Sequence, residues 1–586
     1  MKSYTLRSAA AIDMLAIAFF WCISLIIVNP TGNFPLNDDW SFGIAVRHLI
    51  EDGDFRPTGW TSMPLISQVL WGAIFCIPAG FSFDALRLST LTLSLLGILG
   101  AYLLMRELRQ PRWLAVMVAL TLGFNPIYYA LSNTFMTDIP FTAILILASL
   151  FFLRSLRTGS DIDLLLGTTL AVAATLCRQL GVSVPLAFAV SLLLKRGVTS
   201  RYVMRAVIPS AVCIGSLFAF GQWLAVTGRL PELYYTHLET MLHMLTNPKM
   251  LITEFATRTC VDLLYLGWFL SPLLIFALPN IWVSHRNKAI VVRPALLMAA
   301  MVLLSLTLFL WDRGRLSPMP IGENIITTSG IGPLTLHDTY LMHLNHMPSL
   351  PSSFWLVMTA ISLIGGAFLA TAMGVTAINL VPRLWPAKMN DNQAATTFLL
   401  LSATIYMLPL LIAGFFDRYL VPAIPFLAAA IASSSAQPPR TCTGVRPFVA
   451  AVLIGVFFVF AICGTRDYLA WNRVRWVALD DLMESRRAEP EDIDGGFEFN
   501  ELHRHDPHHN LEPEKSQCRV KRDTYMIAFG RIPGYTVIKE YSYRHWMPPH
   551  NGYVVVLKKD PQDTGKRRGD EHAEQDAPTD ADKPRC

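Results

Sequence analysis

Two neighbouring stretches decide how the chain is read: AAIDMLAIAFFWCISLIIV at residues 10–28, and NDDWSFG at residues 37–43. The first is apolar over the length a helix needs to cross a hydrocarbon core, roughly 20 residues. The second sets two carboxylates, Asp38 and Asp39, just beyond the point where that helix leaves lipid. There they can ionise at the water boundary and still face a space between helices. Ionisable groups near membrane depth are costly, which makes them functional candidates. The plainer alternative is a pair of solvated loop acids.

Composition generalises this reading. Of 586 residues, 53% are hydrophobic and 16% charged, against about 25% charged in a soluble protein. Mean hydropathy is +0.41, so the sequence reads as an all-α polytopic membrane protein. The net charge of +5 comes from basic residues in short loops, and no nucleic-acid partner is expected. The cysteines show neither a disulfide framework nor a metal-ligand spacing. Lys2 and Arg7 precede a long apolar run without a small-residue cleavage site, the pattern of an uncleaved anchor. The ending Lys583-Pro584-Arg585-Cys586 lacks the aliphatic spacing of a prenylation box.

Beyond the first span, apolar length predicts crossings near 84–105, 113–131, 139–154, 163–177, 182–195, 206–226, 261–283, 294–311, 353–381, 396–415, 419–436 and 447–464, about thirteen in all. Arginines and lysines recur in alternate loops, at Arg106/Arg109/Arg112, Arg154/Arg157, Lys195/Arg196/Arg201/Arg205, Arg286/Lys288/Arg293, Arg383/Lys388 and Arg440/Arg446. All share the side of the N-terminus, which the positive-inside rule makes cytoplasmic. Counting the apolar stretch 64–80 as a crossing would invert every later loop, so it is expected to be re-entrant or interfacial. The opposite side then receives 29–83, 131–138, 227–260, 312–352, the turn at Asp417-Arg418 and everything after 464.

Three regions follow: a transmembrane part, 1–464; a small α/β soluble part, 465–560; and a disordered charged tail, 561–586. In the second, a helix over Tyr468–Ser485 precedes strands at Thr524–Phe529, Tyr535–Glu540 and Tyr553–Lys558, the last after an Asn551-Gly552 turn signal. The tail has too few apolar residues to fold.

The polar residues with chemical potential gather on the outward side. In the first loop, Trp40, Ile44, Leu49 and Ile50 share one face of a short interfacial helix that Gly53 ends, with Asp38 or Asp39 near its N-cap. Asp138 stands in Phe135-Met136-Thr137-Asp138-Ile139-Pro140, where an ordinary helix start is the alternative. Arg418, in Phe416-Asp417-Arg418-Tyr419, suits a phosphate through bidentate bonds; its alternatives are a salt bridge to Asp417 or snorkelling. Arg178 is a second cation on that face. His337, His343 and His346 match no compact metal site, and the run His503–His509 reads as a solvated loop.

In this order and sidedness the motifs resemble those of the polyprenyl-phosphate-sugar-dependent membrane glycosyltransferases of the GT-C superfamily, the protein O-mannosyltransferase and aminoarabinose transferase type. The matching residues are Asp38-Asp39, Gly53-Asp54, Pro57, Pro64, Arg87-Leu88, Asp138, and the turn Arg418-Tyr419-x-x-Pro422-x-x-Pro425. The likeness is strongest over 30–205 and 410–436. Two departures stand out: Ser62-Met63-Pro64 where aminoarabinose transferases carry Lys-Pro-Pro, and Asp39 in place of Glu. They count against that particular activity.

The resemblance implies a GT-C-like fold and a sugar donor carried on undecaprenyl or a similar polyprenyl phosphate. It implies transfer to an acceptor hydroxyl on lipid, glycan or protein, with inversion. Asp38 would be the general base, with Asp39 and Asp138 beside it, while Arg418, Tyr419 and Arg178 would bind the donor phosphate. No cofactor is fixed by the pattern; a divalent ion between Asp38 and Asp138 is compatible with it and not required. The expected location is a bacterial inner membrane, among its lipids, with the N-terminus cytoplasmic and the C-terminal part periplasmic. A transporter or flippase of lipid-linked saccharides is the first alternative, although no inverted repeat is evident. A non-enzymatic scaffold and a polysaccharide ligase or polymerase, which would use the 312–352 loop, are the others.

Overall fold

The apolar runs fold as helices, and the breaks between them are set by Gly, Pro and capping side chains. The computed structural model describes residues 2–283, 288–312, 318–322, 324–380, 389–434, 444–504 and 523–561. Helix α1 (Lys2–Val28) is followed by two short helices, α2 (Asp39–Glu51) and α3 (Ile66–Cys76). The long helix α4 (Phe83–Glu107) comes next, capped by the Ser82 hydroxyl. Helices α5 (Arg112–Gly123) and α6 (Pro126–Ser132) meet at a 63° bend, where the Asn125 side chain caps α6.

The bundle continues with α7 (Asp138–Thr158), α8 (Asp161–Thr175), α9 (Ser183–Arg196), α10 (Ser200–Val226), α11 (Thr236–Thr246), α12 (Pro248–Val283) and α13 (Lys288–Asp312). A small loop hairpin, β1 (Ile326–Thr327) and β2 (Gly330–Ile331), and one turn of helix, α14 (His337–Tyr340), precede α15 (Ser352–Leu380). Then come α16 (Asp391–Ala413), α17 (Ala423–Ser434) and the 41-residue α18 (Val445–Ser485). The chain closes with β3 (Ile493–Asp494), α19 (Phe497–Arg504), β4 (Tyr525–Ala528), β5 (Tyr535–Trp546) and β6 (Pro549–Lys559). These strands form one sheet in the order β3-β4-β6-β5, parallel only between β3 and β4.

The expected class is what the structure shows: a mostly helical, multi-pass membrane protein with a small sheet near its C-terminus. The count of thirteen crossings is not. Among the described residues ten helices are long and apolar enough to cross, or eleven if the bent α5–α6 pair is one span. The difference lies at 163–177 and 419–436. There the structure has α8, of 15 residues, and α17, of 12, the latter ending where the described chain breaks at 434. Helix α8 still carries the chain from Asp161, paired with Arg205, to Arg178, paired with Asp138 at the start of α7. Helix α3 is shorter still: 11 residues span roughly 16 Å, so the stretch 64–80 does not cross.

The C-terminal region differs in detail from its reading. Helix α18 runs unbroken through the expected boundary at 464. Asn551-Gly552 is not the hairpin turn but lies inside β6, and the turn is Met547-Pro548. The glycine answers a packing need instead, since a Cβ on Gly552 would meet the Tyr543 ring of β5 at 2.3 Å. Residues 505–509 and 562–586 fall outside the described residues. One apolar core is continuous from α1 to β6, so the sheet and the bundle pack as one body.

Candidate active site

The first loop is held from below by a single arginine. Arg87 of α4 is buried and donates to three successive turns of loop backbone, the carbonyls of Pro30, Gly32 and Phe34. From above, Glu498 of α19 accepts from the Asn37 amide (3.0 Å), where the backbone turns into the left-handed region at φ 56°. Glu498 is itself fully buried and paired with Arg475 (2.7 Å) and Thr335 (2.7 Å). The peptide just before Asp38 is therefore gripped by a residue 461 positions away.

Asp38 and Asp39 have different occupations. Asp39 is buried in α2 and accepts from two backbone amides, Phe135 (2.8 Å) and Leu36 (3.3 Å). Burial pushes its carboxyl up to about 7, against the pull of those amides and of Arg87. Asp38 sits at the N-cap position of α2, yet its side chain makes no capping bond. Its carboxylate accepts from the Trp60 indole (3.1 Å) and from Nη2 of Arg418 (3.2 Å).

The pinned Phe135 peptide also receives the other partners. Gln68 of α3 donates to the Phe135 carbonyl, fixing the loop that enters α7 at Asp138. Alongside it, the Leu65 amide bonds to the Cys177 carbonyl and Gln179 donates to the Ser62 carbonyl. Those bonds seat Arg178 against Asp138 at 3.0 Å, with a second bond to the Thr137 hydroxyl at 2.8 Å.

The turn bearing Arg418 begins after α16 ends at Gly414, φ 102°. Asp417, whose carboxyl burial pushes up to about 6, accepts from the Ile325 and Ile326 amides and not from the Arg418 guanidinium. The Tyr406 hydroxyl donates to the Tyr419 carbonyl (2.8 Å). Both expected alternatives for Arg418 thus give way to a pair with Asp38. The Tyr419 ring lies under both guanidiniums, at 5.4 Å from Arg418 and 4.6 Å from Arg178.

The six expected residues accordingly meet in two groups. Asp38, Arg418, Tyr419, Arg178 and Asp138 form one chain of contacts, while Asp39 stands beside it bound to backbone. Several bonding groups in the chain are unmet. Among the described residues, Nε and Nη1 of Arg418 and Oδ2 of Asp138 are buried without a hydrogen-bond partner. Buried polar groups are nearly always satisfied, and an exception needs a reason. An anion with several oxygens can meet one of these arginine donors together with the neighbouring Nη2.

A divalent ion between Asp38 and Asp138 fits these residues poorly. Each carboxylate already holds a guanidinium, and a cation would enter against two positive charges. Among the described residues no group of three or more His, Cys, Asp or Glu is placed to hold a metal. His337 and His346 instead bond to Asp494 (2.6 Å) and Asp338 (2.7 Å).

Sequence reading missed Trp60, Thr137 and Glu498. Trp60 lies just ahead of the 64–80 stretch, and Thr137 looked like a helix start. His237 of α11, also missed, stands close enough to Arg178 to feel its charge.

Residues 63–225 match the sequence model of a family described as dolichyl-phosphate-mannose-protein mannosyltransferase. That span takes in α3 to α10, with Asp138 and Arg178, and it agrees with the resemblance read from the motifs. No curated protein matches the chain. Two solved structures are similar in overall course, both ArnT from Cupriavidus metallidurans. One, bound to undecaprenyl phosphate, is 14% identical with TM-score 0.37, covering 94% of this chain and 98% of that one. The apo structure is 14% identical with TM-score 0.34, covering 85% and 84%. Likeness this loose leaves the chemistry to the site itself.

Proposed function

We propose that this protein is a membrane glycosyltransferase that moves a sugar from a polyprenyl-phosphate donor to an acceptor hydroxyl, with Asp38 as general base. The observation that carries the reading is the pair Asp38–Arg418, in which the arginine keeps two buried donors unmet. A phosphate arriving at Arg418 competes with Asp38 for Nη2 and takes it together with the adjacent Nε, the two donors that form one edge of the planar fork. Asp38 is then released as a carboxylate beside the same phosphate, where an acceptor hydroxyl can meet it. The acceptor oxygen attacks the anomeric carbon and its proton passes to Asp38. The bond from that carbon to the phosphate oxygen breaks, and the lipid phosphate leaves with the electron pair. A single displacement inverts the anomeric centre.

Arg418 and Arg178, stacked on Tyr419, stabilise the charge growing on the leaving phosphate; preorganised cations of this kind supply a large part of such catalysis. Asp138 orients Arg178. Asp39 organises the loop. The family matched over 63–225 is described by dolichyl-phosphate-mannose, itself a sugar on a polyprenyl phosphate, and this supports the donor class. A donor with a long lipid tail explains a site at the mouth of a helical bundle, since the tail stays in lipid while the phosphate reaches polar groups. On this reading the site faces the periplasm of a bacterial inner membrane, the N-terminus is cytoplasmic, and residues 465–560 lie outside.

The test is Asp38→Asn in membranes supplied with a radiolabelled polyprenyl-phosphate sugar. Transfer is expected to fall by about 10²–10⁴-fold, the usual worth of a general base, at a near-normal protein level. Unchanged transfer would remove Asp38 from the reaction. Uptake of lipid-linked saccharide into vesicles that survived this substitution would favour a transporter.

A further inference from the structure

A second polar pocket lies along α2, away from the Asp38 cluster. Gly43, Arg47 and Glu51 recur at intervals of four, so they share one stripe of the helix. The stripe faces the loop of Phe81 and Phe83: a Cβ on Gly43 would meet the Phe83 ring at 2.8 Å, and Arg47 lies 4.5 Å from the Phe81 centroid. Trp476 of α18 closes the far side, stacked at 8° on Phe34. The cleft, open to solvent on one side, offers about 400 Å³, within the range of roughly 300–1,000 Å³ that small ligands occupy.

The lining is chemically mixed in an informative way. Arg47 and Glu51 stand one turn apart with opposite charges, yet neither makes an ion pair or side-chain hydrogen bond among the described residues. Trp476 is 9% exposed, and its indole nitrogen has no partner among the described residues. An alkyl chain in this space would strip water from both charges without replacing it. A phosphate would meet Glu51 as well as Arg47. A sugar ring satisfies every group: its hydroxyls donate to Glu51 and accept from Arg47, and its C–H face lies on the aromatic walls.

We propose that this pocket binds a neutral saccharide unit of the acceptor. Its role as part of an acceptor rests on the transfer reading above; its affinity for sugar does not. Arg47 is nine residues beyond Asp38, roughly 14 Å of helix axis. The ring held here is therefore not the one whose hydroxyl reacts but another further along an extended glycan or glycolipid.

The experiment is saturation-transfer-difference NMR on the full chain in detergent micelles, with maltose, lactose and N,N′-diacetylchitobiose as probes. Ring protons of at least one disaccharide are expected to receive saturation. Affinity is expected to fall about tenfold or more in the double variant Arg47→Gln/Glu51→Gln, through loss of charge-assisted bonds. Glu51 is exposed and Arg47 half-buried, and neither has an ion-pair partner among the described residues, so the variant should melt close to the parent, losing only the contact of Arg47 with the Phe81 ring. Asp38→Asn should bind sugar undiminished, which separates this site from the transfer chemistry. Should Asp38→Asn keep transfer while the double variant loses sugar, the pocket stands and the general-base assignment falls. No saturation of any probe, equal saturation in the double variant, or displacement by millimolar inorganic phosphate would overturn the proposal.

Discussion

Two clusters of buried acids and cations, one at the mouth of the bundle and one beneath the C-terminal sheet, are built alike and finished differently. Each draws its members from distant parts of the chain. Beneath the sheet, Asp338 accepts from both His346 (2.7 Å) and the Phe529 amide (2.9 Å), and Asp494 from His337, Asn500 and the Gly496 amide. Glu498 spends one oxygen on Asn37 and the other on Arg475 and Thr335. Among the described residues, Nη2 is the one atom of the Arg475 guanidinium left over there. At the mouth, by contrast, Arg418 keeps two donors and Asp138 one oxygen. Saturated networks hold a structure in place; unsaturated ones have capacity for a ligand.

The largest effect that separates the two is on chemistry. Asp38→Asn should cost about 10²–10⁴-fold in transfer, whereas Asp39→Asn, which keeps one acceptor oxygen for the Phe135 amide and loses the longer bond from Leu36, should cost far less. Equal losses from the two variants would mean that both acids belong to the reaction. Next in size is Glu498→Ala. Breaking a fully buried ion pair usually costs about 3–5 kcal/mol, and here it also frees the peptide before Asp38. A clear drop in the melting temperature of the detergent-solubilised protein is expected. An unshifted melt would show that the C-terminal cluster does not brace the first loop.

A smaller effect is expected at Arg418. Lysine keeps the charge but loses the planar fork. Arg418→Lys should therefore raise the KM for the lipid-phosphate donor about tenfold, the worth of one charge-assisted bond, with little change in protein level. A variant with the parent's KM would argue against bidentate phosphate binding and would place Arg418 with the structural pairs.

How far the sequence announced all this varies by region. Long apolar runs fold as helices because lipid leaves a backbone no other way to satisfy itself, so α1, α4, α7 and α10 were legible at once. Helices α8 and α17, with 15 and 12 described residues, are shorter than a usual crossing, which apolar composition alone did not show. Asp38, Asp138 and Arg418 could be suspected from their shared side. Their division of labour with Asp39 could not, since two adjacent acids look alike until one is seen bound to the amide of Phe135, 96 residues on. Trp60 and Glu498 had no local signature either, because their significance lies only in what they touch.

The smallest expected effect tests the closed half of the comparison through pH. Burial alone would depress the His337 imidazole, but the hydrogen bond and charge of Asp494, with Asp338 and Asp523 behind, leave it above its ordinary 6.5. A histidine raised on folding contributes stability in full below its unfolded value and loses it as pH climbs through the folded one. Melting temperature should therefore decline gently as pH rises from about 6.5, and His337→Gln should flatten that slope while lowering stability at pH 6. The ring is a quarter exposed, so the contribution is about 1 kcal/mol or less. If the slope persisted in the variant, another group would be titrating there and the bond to Asp494 would not be what closes the cluster. Its loss would show a proton held between the 312–352 loop and the sheet, in the cluster whose acids all have partners.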